Sequence, residues 1–438
     1  MHPSPSSQAS GLALGLDLGS SGARLALAGP GHPGVEQLWE AAIPYPGPFT
    51  QPDSWRQALI HLLAQLPPPW RRRVGAIAIA GTSGTLLVCR PDGSLLGGSL
   101  AEALPYHLAF PSHQARAAAL VGGFGPAASA SGSLARALEL LQRSRHGSSP
   151  AQPWLRHQAD WLMGWLLGDW RWGEEGNNLR LGWNLQGQCW SGELGHQSWA
   201  AALPQICASG SVLGQLGAEA AASLQLPADC RVVAGSTDAN AGVLAAAAKP
   251  SDGITVLGTS LVLKQFVAAP LNGPGLSCHR VGGRWLLGGA SNAGAGILRR
   301  FFNDDQIASL SRQIDPARPT GLGLRPLLVS GERFPVDDPL LQPILEPRPV
   351  GDTHYLQALL EGLTAIELAG WNRLRQLGAP AVQRVISIGG GARNPQWRQL
   401  RQRALGVPVL NRPQCTAARG MALLALRALE PAAATECV

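Results

Sequence analysis

The sequence predicts an α/β protein built from two domains, each opening on a strand–turn–strand hairpin. Three observations carry this. The chain has 438 residues, more than one compact core accommodates. Apolar strand-like runs alternate with helical ones along its length. The first turn, Leu18-Gly19-Ser20-Ser21, is echoed by Leu257-Gly258-Thr259-Ser260, and each opens one proposed half of the chain.

The first hairpin is read from Leu12–Asp17, an apolar strand, the turn Gly19–Gly22 and the return strand Arg24–Ala28. Val74–Ala80 is the next strand, ending in Gly81-Thr82-Ser83-Gly84-Thr85; Leu86–Cys89 continues it to the turn Pro91-Asp92-Gly93. Helices are expected around 113–120, 133–143 and Trp154–Leu167. Arg231–Ala234 reads as a short strand, Gly235–Asp238 as a turn and Ala239–Ala248 as a small-residue helix. Pro250-Ser251-Asp252-Gly253 breaks the chain, which places a boundary between domains 1–249 and 250–438. The second hairpin follows: Ile254–Leu257, the turn, then Leu261–Val267. Late elements are a helix at 353–377, a strand Arg384–Ile388, a glycine turn, a helix Pro395–Leu405 and a final helix at about Thr416–Leu429.

Charge and cysteine usage narrow the function classes. The net charge is +7, carried almost wholly by arginine, with Lys249 and Lys264 as the two lysines. No basic stripe with interleaved aromatics is present, which argues against a nucleic-acid partner. The seven cysteines are scattered without a CxxC pair, as expected of reduced thiols in a cytoplasmic protein. No uncharged run is long enough to span a bilayer, and the first apolar stretch, interrupted by Asp17, lacks the basic lead-in of a signal peptide.

The glycine motifs point to phosphate. GxxxxGK[ST] is excluded because neither lysine follows a glycine, and Gly15, Gly19 and Gly22 have the wrong spacing for GxGxxG. Two strand–turn–strand loops rich in glycine and hydroxyls remain, suited to grip phosphates with backbone N–H groups. Asp17, beside the first turn, is either a turn cap or a carboxylate that holds Mg²⁺ through water. Asp238 is either the first-turn residue that helix physics favours or a catalytic base for a hydroxyl. Ile386-Ser387-Ile388-Gly389-Gly390-Gly391-Ala392-Arg393-Asn394-Pro395 reads as strand, glycine turn, N-cap and helix start, flat enough for a planar ligand.

As a set these residues resemble the FGGY carbohydrate kinases of the actin–hexokinase–Hsp70 superfamily. The resemblance rests on LGLDLGSSGARLAL (14–27), AGSTDANAGVLAA (234–246), GITVLGTSLVLK (253–264), GGASNAGAGILRRFF (288–302), ISIGGGARNPQWRQLRQRALGVPV (386–409) and ARGMALLAL (418–426). It implies two actin-like (ribonuclease H-like) α/β domains with a nucleotide cleft between them, and an ATP- and Mg²⁺-dependent sugar kinase whose partners are a small sugar and ATP. Asp238 is then the base. Asp17 and Ser20 act near the metal and the transferred phosphate, and Gly258 and Thr259 contact phosphate. Gly390, Gly391, Asn394 and Trp397 hold adenosine. The short chain, GTSGT (81–85) and GERFPV (331–336) resemble the cyanobacterial and plant D-ribulose kinases, once called xylulokinase-like, in which the serine matching Ser83 lies at the sugar. The substrate implied is D-ribulose, converted to D-ribulose 5-phosphate; the alternatives are a xylulokinase or other polyol kinase, and a non-catalytic actin-like nucleotide-binding scaffold. The segment 100–152 departs from the family pattern. The tryptophans between Trp161 and Trp172 read as packing, with Gln158 and Asp160 as candidate sugar contacts.

Overall fold

A computed structural model describes residues 11–31, 34–123, 125–145 and 153–430. The N-terminal segment read above for the absence of a signal peptide, and Cys437, lie outside the described residues. The chain divides into two compact units: Met1–Ala245 with Arg280–Gly283 and Thr416–Val438, and Ala246–His279 with Arg284–Cys415.

Each unit is built on a six-stranded sheet, and the two sheets share one plan. In the first, Leu12–Leu18, Gly22–Gly31 and Gly34–Pro44 form an antiparallel meander. Val74–Gly81 and then Arg231–Thr237 add in parallel on the other side of Leu12–Leu18. Val212–Gln215 closes that edge. In the second, Asp252–Leu257, Leu261–Val267 and Arg284–Ala290 pair antiparallel in that order, with Leu276–Val281 at the outer edge beyond Arg284–Ala290. Arg384–Ile388 and Val409–Asn411 add in parallel beside Asp252–Leu257. The turns Gly19–Gly22 and Gly258–Ser260 thus occupy the same place in the two sheets, so the short sequence echo reflects a repeated architecture.

The central strands of the first sheet are near-continuous apolar runs because both faces are covered; every residue of Val74–Gly81 is buried. Arg231–Thr237 differs from expectation. It stays a strand past Ala234, with a register irregularity between Val233 and Ser236. Gly235 makes this possible, since a Cβ there would lie 1.7 Å from Ile79 O. The irregularity re-aims Ser236, Thr237 and the start of the next helix, Asp238–Ala245. The expected helix Trp154–Leu167 is likewise two elements: Trp154–His157 pairs with Leu86–Cys89 as a strand, and the helix begins at Gln158.

The last helix, Ala417–Arg427, lies at the end of the span expected as the C-terminal domain, 250–438. It belongs to the first unit, lying directly on Leu12–Leu18 and on Asp238–Ala245. A Cβ on Gly15 would stand 2.0 Å from Ala418 O, and one on Gly420 1.8 Å from Ala241 O. Small residues on both surfaces allow backbone-to-backbone approach, which sequence distance conceals.

The second unit is cored by the 25-residue helix Asp352–Gln376 and by a fully buried ion pair. Arg401 Nε and Nη2 donate to the two oxygens of Glu367, and Arg401 Nη1 donates to Ser387 Oγ. Thr255 Oγ1 donates to Glu367 as well. The network satisfies both charges and ties the central strands to two helices.

Candidate active site

In the first unit the residues singled out from sequence converge at the ends of the central strands. Asp17 is next to last in Leu12–Leu18, opposite Arg24 on one side and Ala80 on the other. The following turn is closed by Gly19 N–H donating to Gly22 O at 3.0 Å, leaving Ser20 and Ser21 exposed. Asp17 Oδ1 is buried without a hydrogen-bond partner. Burial, then the charge of Asp238, push the Asp17 carboxyl up to about 7; Arg24 opposes this and Glu40 adds to it. Arg24 is itself engaged, donating to Glu40 at 2.6 Å.

Asp238 begins the helix Asp238–Ala245, and its Oδ1 accepts from Ala239 N–H at 2.7 Å. Burial pushes its carboxyl above the usual carboxylate range and that hydrogen bond opposes the rise. Asp17 and Asp238 are therefore neighbours with an unsatisfied oxygen between strand and helix ends. A cation fits this place, because it would satisfy Asp17 Oδ1 and relieve the like-charge contact. Among the described residues no group of three His, Cys, Asp or Glu stands ready to hold a metal. A single carboxylate such as Asp17 is a donor that Mg²⁺ would take, with waters and phosphate oxygens completing its shell.

Ser83 sits in the turn after Val74–Gly81, partly exposed, with Gly84 at φ +106° turning the chain. The turn is held by Gln158, whose own N–H donates to Thr85 O and whose Oε1 accepts from Thr82 N and Thr82 Oγ1. Tyr45 Oη donates to Gly19 O at 2.7 Å. Sequence reasoning missed Tyr45 altogether, because nothing local connects the third strand's end to the first turn. Asp160 is buried and spent internally, accepting from Glu174 N at 3.0 Å and from Asn178 Nδ2 at 3.0 Å. The tryptophans pack as expected: Trp161 is buried, and Trp170 lies against Gly93 and Gly164.

In the second unit the turn Gly258–Ser260 leaves Thr259 exposed. A glycine loop from GGASNAGAG backs it: Ala295 N donates to Gly258 O at 2.9 Å and Gly296 N to Thr259 O at 3.2 Å. Gly294 is obligatory, since a Cβ there would meet Thr259 O at 2.2 Å. Buried Glu332 of the GERFPV segment braces that loop, accepting from Ser291 Oγ and from Asn292 N at 2.7 Å. This bracing was also invisible in the sequence.

The strand–glycine–cap–helix order is as expected. Gly389 takes φ +87° under Leu257 O, and Gly390 faces open space. Two neighbours have structural partners of their own. Trp397 is buried, donates from Nε1 to Thr364 Oγ1 at 3.1 Å, and lies behind Gly391. Asn394 caps its helix by accepting from Trp397 N at 2.9 Å and donates to Ser311 Oγ at 2.8 Å. Both side chains thereby shape the glycine loop.

Residues 253–429 match the C-terminal domain of the FGGY family of carbohydrate kinases. That match covers less than half of the chain. An L-fuculokinase of Salmonella typhi is 25% identical over 219 residues, 47% of this chain and 45% of that relative, so the match spans less than half of the relative's length. Among solved structures, a xylulose kinase from Rhodospirillum rubrum superposes with TM-score 0.77 at 22% identity, over 94% of this chain and 89% of that one. A Plasmodium falciparum glycerol kinase solved with ADP gives 0.73 at 14%, over 94% and 88%. The fold is thus the two-domain actin-like α/β fold of the FGGY kinases. No helix among the described residues is long and apolar enough to cross a membrane.

Proposed function

We propose that the protein is an ATP-dependent sugar kinase that phosphorylates a pentulose, D-ribulose first among them, to the 5-phosphate. The observation that carries the reading is the Asp17–Asp238 pair at the strand ends, with Asp17 Oδ1 buried and unsatisfied. Such a pair has no packing value of its own, whereas it suits a metal-bound phosphoryl group and an acceptor hydroxyl.

Asp238 accepts the proton of the acceptor hydroxyl as its oxygen attacks the γ-phosphorus and the bond to the ADP oxygen breaks. Its burial brings it nearer the working pH, which suits a base, while Ala239 N–H and the helix N-terminus favour its ionised form. Asp17 would hold Mg²⁺, which neutralises charge on the transferred group. Ser83 contacts the sugar and Ser20 the transferred phosphate. Gly258 and Thr259 take up nucleotide phosphate through backbone N–H and hydroxyl. Gly390 and Gly391 lie against adenosine, their loop shaped by Asn394 and Trp397. The GTSGT and GERFPV segments support D-ribulose; the relatives named above act on other acceptors.

ADP release from MgATP is measured with D-ribulose, D- and L-xylulose, L-ribulose, glycerol and gluconate. Strong stimulation by D-ribulose is expected. Stimulation by another acceptor alone replaces the substrate, and stimulation by none favours a nucleotide-binding scaffold.

A further inference from the structure

Two guanidinium groups of the first unit come together without a carboxylate between them. Arg136, on the helix Ser133–Arg145, is fully buried. Its Nε donates to Pro105 O at 3.0 Å and its Nη2 to Leu108 O at 2.8 Å and to Tyr106 O, while its Nη1 is buried with no partner. Arg180, in the short turn Leu179–Leu181, donates from Nη2 to Ser131 O at 2.5 Å, and its Nε is likewise buried with no partner. The two free donors face one point. A Cβ built on Gly84 would stand 3.2 Å from Arg136 Nη1, 3.4 Å from Ser133 Oγ and 3.7 Å from Arg180 Nε. Two arginines and a serine thus converge on the Thr82–Thr85 turn, next to Ser83. Other arginines of this chain meet an acid: Arg401 pairs with Glu367, Arg384 with Asp252 and Arg280 with Glu175. Among the described residues Arg136 and Arg180 form no ion pair. Asp160, reached from Ser133 through His157, is already spent on Glu174 N and Asn178 Nδ2. Burial, then the charge of Arg180, pull Arg136 down to about 10, and burial lowers Arg180 as well. Both still carry their charge at neutral pH, so their desolvation is offset by no counter-charge. The carbonyl partners explain Arg136 as a staple for the 105–108 segment, but they leave Nη1 and the second cation beside it unexplained.

We infer that Arg136 and Arg180, with Ser133, form an oxyanion-binding site at the Thr82–Thr85 turn, and that its ligand is a phosphate or carboxylate group. Such a group supplies the missing negative charge. It accepts from both unpartnered N–H donors, in the charge-assisted bonds that guanidinium groups are shaped to make. Glycine at position 84 leaves the room: it turns the chain at φ +106°, and a side chain there would occupy the point on which the donors converge. The inference goes beyond the kinase reading and does not rest on it.

Isothermal titration calorimetry of the unliganded full chain with inorganic phosphate, in chloride buffer of matched ionic strength, tests it. Binding is expected, and Arg180→Gln should weaken it by about tenfold or more, the weight of a charge-assisted hydrogen bond. Should that variant not fold, Arg180→Lys, which keeps the charge and loses the Nε donor, is measured instead and should weaken binding about fivefold, the weight of one ordinary hydrogen bond. D-Ribulose 5-phosphate and D-gluconate, titrated in the same way, tell an ester phosphate from a carboxylate as the source of the group. Free phosphate is the ligand where neither binds more tightly than inorganic phosphate. Absence of binding by all three probes overturns the proposal. So does phosphate bound equally by parent and variant, which would sit on the glycine loops instead. An Arg180 that served packing alone would lower the melting temperature on substitution and leave phosphate affinity unmoved, which also overturns it. Absence of turnover in the unsubstituted protein overturns the kinase reading and leaves the titration standing.

Discussion

The charge of Asp238 helps to keep a proton on Asp17, whose carboxyl is held at about 7 by burial and by that neighbour. Asp17 lies on, and Asp238 directly follows, the two strands that flank Val74–Gly81 in one sheet, and their environments differ: Asp238 has a hydrogen bond to its own helix start, whereas one oxygen of Asp17 has nothing. On the proposed roles, removing Asp238 removes the base and leaves the glycine loops of the second unit untouched. Asp238→Ala is expected to lower acceptor-dependent ADP release by about 10²–10⁴-fold, the usual weight of a general base. ATP affinity by calorimetry is expected to stay within about threefold. Turnover near that of the unsubstituted protein sinks the assignment.

Asp17 makes stability depend on pH. Its folded carboxyl titrates near 7 and its unfolded one near 3.8, so between these values the folded state binds more protons. Stability then falls as pH rises from about 4 to about 7 and stays low above it. Asp17→Asn lacks this loss. Without Mg²⁺ the variant should be more stable than the parent above pH 7 by about 2 kcal/mol, less than the full shift implies because the carboxyl is not wholly buried. The advantage should vanish at pH 4. Urea unfolding at both pH values checks this, and an equal advantage at both contradicts it. Phosphoryl transfer should be lost in the same variant.

The glycine loop offers a test that separates packing from binding. A Cβ on Gly391 would sit 2.7 Å from Trp397 and 2.8 Å from Leu257, whereas one on Gly390 meets nothing within 4 Å. Gly391→Ala should destabilise the second unit by about 1–3 kcal/mol through overpacking. Gly390→Val should leave the melting temperature unchanged and weaken ATP binding about tenfold or more by obstructing close approach. Normal ATP affinity in a folded Gly390→Val protein would remove this loop from the nucleotide site.

Glu367 and Arg401 form the buried pair whose loss should be felt in stability. Glu367→Ala leaves the guanidinium without its carboxylate in a dry core, at a cost of about 3–5 kcal/mol. Replacing both by methionine should cost much less. Denaturant midpoints decide it, and comparable losses in single and double variants would mean the pair itself, not the orphaned charge, is what stabilises.

Features fixed by local chemistry were legible in the sequence. The two hairpin turns, the Asn394 cap followed by Pro395, and the strand before the glycine run all follow from short-range preferences. Features that depend on distant partners were not. Trp154–His157 became a strand because Leu86–Cys89 lies beside it, and the final helix joined the first unit because Gly15 admits Ala418. Gly235-Ser236-Thr237 looked like a turn because glycine and hydroxyls usually mark one; the neighbouring Ile79 backbone turned it into an irregular strand. At the site, the acids and small residues were visible as types, while Tyr45, Gln158 and Glu332 act across 26, 76 and about 40 positions of sequence. That Trp397 turns its indole inward, to Thr364, is not visible locally, because a tryptophan beside a glycine loop gives no sign of which way it points.

The central claim is tested most directly by following γ-labelled phosphate from MgATP with D-ribulose, for the unsubstituted protein and Asp238→Asn side by side. The account predicts labelled D-ribulose 5-phosphate from the first and a rate lower by about 10²–10⁴-fold from the second. Label recovered only as inorganic phosphate, or equal transfer by both proteins, would contradict it.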